Sequence, residues 1–334
     1  MNPAIRWLLV FVLGCEPALA SADVVWDVSL WGKRRAFTEH VEKLAELLER
    51  GSGGEFRLRL SYGELSPNRE NLNGIQKGAF EMAQICAFYH PDKTPSLTVN
   101  ELPYIRPLSL SQVSETYQAV YRHPVVIADL QRWNATLLMP TPLPQYSLMG
   151  AGRPVASINR FWGKRVRGPV GTLGVLHQLG AVRSDTPYGQ VAARMAAGKL
   201  DVAAFAPHAH IATGLIEQAA WASENLALGS ADCPIVVNTE AQQRLPLAFR
   251  SLLANASEQA LQHYIRHYET RVMLPYQQQL EQRGIERLVY RDDELLELER
   301  LAADVRQQWV LRHKRRFDSV ALYQFAERQF LSRK

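Results

Sequence analysis

A chain of 334 residues is too long for one small core and fits two domains of ordinary size. Its hydrophobic share of 47% and charged share of 21% are those of a globular protein and exclude wholesale disorder. The net charge of +5 is modest, and the basic residues are interspersed with acids, which argues against a nucleic-acid partner.

The first predicted element is an export signal. Arg6 precedes an apolar run from Trp7 to Leu13, Pro17 breaks it, and Ala18-Leu19-Ala20 and Ala20-Ser21-Ala22 carry small residues at peptidase spacing. The run is too short to anchor in a bilayer. Val12-Leu13-Gly14-Cys15 also fits a lipoprotein pattern with Cys15 acylated, but Leu13 is large for its place there, which favours soluble release. Either route puts the chain outside the cytoplasm. Once residues 1–22 are removed, Cys86 and Cys233 remain, and a disulfide or two buried thiols both stay open.

Val24 to Leu30 reads as a strand, and Phe37, Val41, Leu44, Ala45 and Leu48 as one face of a helix closed by Gly51-Ser52-Gly53-Gly54. Phe56 to Leu60 alternates as a half-buried strand, Asn71 to Lys77 is a short helix, and Phe80 to Ala87 is an apolar strand. Pro91 to Pro107 is an ordered excursion, and Gln112 to Trp133 is helical with a break at His123-Pro124. Thr136 to Met139 is a strand ending in Pro140, Pro142 and Pro144, a first crossing between lobes. The second lobe has a strand at Val166, helices at Thr172–Gly180 and Tyr188–Ala197, and a strand at Leu200–Phe205. Cys233 to Asn238 is the return crossing; Ser257 to Arg283, kinked at Pro275, and Asp293 to Val320 are helical. The cluster Arg312 to Arg316 beside Trp309 and Phe317 reads as a solvated helix face. Strands alternating with helices predict an α/β fold with a mostly parallel sheet.

Several segments, in order, resemble the solute-binding subunits of tripartite ATP-independent periplasmic (TRAP) transporters, the DctP-like family. They are Gly63-Glu64-Leu65-Ser66-Pro67, Gly78-Ala79-Phe80-Glu81-Met82-Ala83, Glu101-Leu102-Pro103-Tyr104-Ile105 and Trp162-Gly163-Lys164-Arg165-Val166-Arg167. Leu179-Gly180-Ala181, Thr186-Pro187-Tyr188, Ala197-Gly198-Lys199-Leu200-Asp201 and Ile235-Val236-Val237-Asn238 continue the pattern. The resemblance implies a two-lobed periplasmic binding protein fold with crossing strands and a long C-terminal helix. The expected lobes are residues 23–145 with 236–274, and 146–235 with 275–334. It also implies a small organic acid held between the lobes and delivered to TRAP permease membrane subunits in the periplasm. No cofactor, metal or nucleic acid is expected, in keeping with a sequence that has no phosphate-binding glycine loop.

Arg167 matches the family's carboxylate-binding arginine, a role suited to a guanidinium fork that matches both carboxylate oxygens. Ser147 stands where sialic-acid binders carry a second arginine, and Phe205 where they place an asparagine. Tyr188 falls where the family packs an aromatic over the ligand. Tyr146 and Ser147 follow the proline cluster, and Trp31, Cys86, Phe88, Tyr89 and His90 end first-lobe strands, where α/β sheets hold ligands. Asp232 begins the return strand. One arginine, several rings and few charges favour a monocarboxylate with an apolar or aromatic body.

Enzyme chemistry is expected to be absent. His208-Ala209-His210, read as alternate residues of a strand, lacks a third metal ligand nearby; Cys86 with His90 matches no nucleophile motif, and no Gly-x-Ser-x-Gly is present. A secreted hydrolase and a sensory subunit docking a receptor kinase are the competing readings.

Overall fold

The structure, a computed structural model, describes residues 23–332; the export signal and Cys15 lie outside the described residues. The chain runs β1 (Val24–Ser29), α1 (Glu39–Gly51), β2 (Phe56–Ser61), α2 (Asn71–Lys77), β3 (Met82–Gln84), α3 (Leu110–Tyr121), α4 (Pro124–Gln131) and β4 (Ala135–Met139). It continues through β5 (Ser147–Gly150), β6 (Arg165–Arg167), α5 (Val170–Gln178), β7 (Val182–Arg183), α6 (Val191–Ala196), β8 (Val202–Phe205), α7 (Pro207–Ala212) and β9 (Trp221–Ser223). The last part holds β10 (Ile235–Asn238), α8 (Thr239–Arg244), α9 (Leu247–His267), α10 (Leu274–Gln282), β11 (Glu286–Leu288), α11 (Asp292–His313) and α12 (Ser319–Leu331).

Two sheets organise these elements. The first has order β2-β1-β3-β10-β4 and the second β11-β9-β5-β8-β6-β7. The chain leaves the first sheet after β4, through the proline cluster, and returns to it at β10, which inserts antiparallel between β3 and β4. Val41, Leu44 and Leu48 of α1 are buried in one cluster with Leu253, Ala256 and Ala260 of α9, where the two alanines let the helices approach.

Two expectations are corrected. The predicted Ser257–Arg283 helix begins earlier, at Leu247, and is broken by a wide π segment at Tyr268–Met273 rather than by a sharp kink at Pro275. Pro275 has no N–H to bond back along the helix, and the widened turn ahead of it absorbs the loss. His208-Ala209-His210 lies in helix α7, not a strand, because Pro207 serves as a helix-starting residue. The two C-terminal helices take different partners. α11 packs on α5, whereas α12 packs on α3, with Phe330 stacked 4.0 Å from Tyr104.

Candidate ligand-binding site

Arg167 closes β6, in register with Ala203 of β8. Strand alternation sends Val166 into the core and both neighbouring arginines to the opposite face. Their fates differ. Arg165 is locked to Asp201 through two 2.8 Å contacts, a local ion pair. Arg167 has no carboxylate partner among the described residues. Its Nη2 donates to Tyr89 Oη at 3.4 Å, and its guanidinium lies 4.3 Å from the Phe205 ring centre.

Tyr89 reaches Arg167 from the first lobe, where its ring stacks on Trp31 at 4.9 Å and 14°. The loop after β1 adds Arg35, which the sequence reading passed over. Its Nη2 donates to Trp31 O at 3.0 Å, and its guanidinium stands 5.0 Å from Phe37 and 5.3 Å from Tyr188 of the second lobe. The buried Nε of Arg35 and Oη of Tyr188 have no hydrogen-bond partner among the described residues. Buried polar atoms are normally satisfied, so orphans at one seam mark a place built for a polar guest. Arg35 also carries no carboxylate partner among the described residues. Only its closeness to Trp31 hinted at it in the sequence, since the basic run Lys33-Arg34-Arg35 reads as an exposed loop.

Tyr146, Tyr188 and Phe205 complete the second-lobe side, with Tyr188 edge-on to Phe205 at 5.6 Å. Burial raises the phenol pKa of Tyr188 while Arg35 and Arg167 pull it down, so both guanidinium fields meet at that hydroxyl. Burial likewise raises Tyr146, opposed by Arg167. Ser147 is half-buried on β5 opposite Phe205. The seam therefore combines two acid-free guanidinium groups with aromatic walls. Such a surface attracts an anion and covers an apolar body.

Two predicted wall residues are placed behind this surface. Cys86 is bonded to Cys233 in a disulfide, so it offers no thiol. Asp232 is fully buried, accepting from Asn100 Nδ2 at 2.9 Å and from Tyr121 Oη at 2.8 Å. Glu101, also buried, accepts from the backbone N–H of Phe88 at 2.9 Å and so backs the Phe88-Tyr89 segment. At Gly171 of α5 the lobes nearly touch: a Cβ there would lie 2.1 Å from the Glu101 carbonyl oxygen.

Burial pushes Asp232 up to about 7 and raises Glu101 well above the usual carboxylate range, with Asp232's charge adding to the effect on Glu101. The folded state thus holds a proton on Asp232 that the unfolded chain releases near pH 4, and its contribution to stability is lost as pH rises from there through about 7. Burial drives His40, His90, His208 and His210 down to about 3–4, and these groups act in the opposite sense. Asp232→Asn separates the two effects. Its urea stability relative to the parent should rise by about 2–4 kcal/mol between pH 5 and pH 8, and a pH-independent difference would remove Asp232 as the source.

His208 and His210 each pair with a buried tyrosine. His208 Nδ1 bonds Tyr268 Oη at 2.7 Å and His210 Nδ1 pairs with Tyr276 Oη at 3.3 Å, an arrangement of core histidines. A cavity of about 430 Å³ lies beyond Phe88 and Glu101, bounded by Val170, Gly171 and the end of α11. It does not include Arg167, Tyr89 or Phe205, so the Arg167 seam is the better-equipped site.

A family model described as bacterial extracellular solute-binding protein, family 7, matches residues 28–309. Solved structures agree on the fold. A marine metagenome TRAP solute-binding protein specific for aromatic acids, solved with 3-hydroxybenzoate, is 17% identical at a TM-score of 0.80, covering 93% of this chain and 99% of its own. A Rhodoferax ferrireducens TRAP solute-binding protein with copurified benzoate is 16% identical at 0.80, covering 92% of this chain and 98% of its own. DctP7, a Bordetella pertussis receptor binding pyroglutamic acid, is 17% identical at 0.77, covering 91% and 99%. No curated protein matches the chain.

Proposed function

The chain belongs to the family-7 bacterial extracellular solute-binding proteins, and from that premise we propose that it captures a small organic monocarboxylate with an apolar or aromatic body. The acid sits at the seam of the two lobes and is handed to a TRAP-type permease in the periplasm. The carboxylate meets Arg167, with Arg35 facing it from the first lobe, and the body lies among Trp31, Tyr89, Tyr188 and Phe205. One observation carries this reading: Arg167 and Arg35 converge on Tyr188 without an acidic partner among the described residues. Two relatives of the same fold hold benzoate and 3-hydroxybenzoate, which supports the aromatic class. Among the described residues no helix is long and apolar enough to cross a membrane. We place the lobes as residues 23–145 with 236–274 and 146–235 with 275 onward, except that α12 rests on the first.

A thermal-shift screen tests the proposal. Benzoate or a hydroxybenzoate should stabilise the chain by about 2.7 kcal/mol at one hundred times its dissociation constant. Pyroglutamate, a dicarboxylate and a sialic acid should do little. Stabilisation by the sugar acid or the dicarboxylate alone would overturn the ligand class.

A further inference from the structure

The geometry points to a second site, away from the ligand seam: a divalent transition-metal ion held by Glu39, His263 and His267, where α1 meets α9. His263 and His267 stand four residues apart on α9, so helical spacing puts both imidazoles on one face. Glu39 begins α1, which packs along that face. One donor atom from each residue lies within 4.8 Å of the others. Glu39 Oε1 is 2.9 Å from His263 Nε2 and 3.7 Å from His267 Nδ1.

Those separations bear on the ion. Metal–ligand bonds of about 2.0–2.2 Å in tetrahedral geometry put donor atoms roughly 3.3 Å apart. The two Glu39 distances straddle that value, so small rotations of the side chains would close a three-ligand shell. Two imidazoles and one carboxylate select zinc-like transition ions over calcium or magnesium, which prefer oxygen. All three side chains are a quarter to a third exposed, which leaves an entry path and room for a water as fourth ligand. Neighbouring cations are already engaged: Arg34 pairs with Glu42, and Lys43 Nζ lies 2.8 Å from Glu46.

The position suggests a purpose. His267 is the last residue of α9 before the π segment Tyr268–Met273, where the helix leaves the first lobe for α10. A bound ion would tie α1 to the end of the helix that carries this connection.

Titration of the tag-free mature protein with Zn²⁺ alone, and with Co²⁺ followed by visible absorption, tests the site. One saturable site is expected, with the intense visible bands of low-coordinate cobalt. Glu39→Gln, His263→Gln and His267→Gln should each weaken Zn²⁺ binding at least about tenfold while circular dichroism and response to the organic acid stay as in the parent. No uptake, or uptake that all three variants leave unchanged, overturns the proposal and leaves a hydrogen-bonded brace. Should one variant misfold, the other two decide.

Discussion

Arg167→Ala is expected to weaken binding of the cognate acid by about 2–5 kcal/mol, or roughly thirtyfold to a few thousandfold, with the fold intact. The size follows from desolvation. A carboxylate between closed lobes gives up its water, and removing the fork that meets it leaves only Arg35, across the seam, to offset the desolvated charge. Since Arg167 has no carboxylate partner among the described residues, its loss strands no acid there, and stability should hardly change. Arg167→Lys keeps the charge but loses the planar fork, so it should recover only part of the affinity. Isothermal titration with the acid chosen by the thermal screen, alongside circular dichroism, checks both variants. An unchanged dissociation constant in Arg167→Ala removes this residue from the site.

The second large effect concerns the Cys86–Cys233 bridge. It closes a loop with a sequence separation of 147 residues. Chain entropy for a loop of that size sets a ceiling near 5 kcal/mol, and measured bridges usually give about 2–4 kcal/mol. The paired substitution Cys86→Ser with Cys233→Ser should therefore lower unfolding free energy by about 2–5 kcal/mol, and a reductant should shift the denaturation midpoint of the parent but not of the variant. Equal midpoints for the parent with and without reductant would mean that the bridge does not stabilise the fold. Affinity should fall as well, because the bridge pins the segment that runs into Phe88 and Tyr89.

How far these features could be read from the residues depends on whether their cause is local. Arg167 was singled out through the resemblance carried by Trp162 to Arg167, with Val166-Arg167 read as the end of a short strand. Arg35 was not, since its role depends on a loop meeting the opposite lobe across the cleft. The bridge needed a register. β10 pairs with β3 antiparallel as Ile235 with Gln84, and Ile85 N donates to Pro234 O, so the same progression sets Cys86 opposite Cys233. Without that pairing, the two thiols were only an even count. Strand β5 escaped notice for a different reason. Its Gly150 weakens any strand pattern, yet it is there because Trp221 fills the space: a Cβ would lie 2.4 Å from the indole. Pro207 misled in the other direction, since a proline that bars a strand is well suited to the first turn of a helix.

The late arrival of β10 bears on how the polypeptide matures. Until residues 235–238 emerge, β3 and β4 each present an open backbone edge with nothing to fill the slot between them. Open edges invite pairing with other chains. Before that segment is in place the chain therefore exposes a sticky template, and a single four-residue strand encoded far downstream closes it.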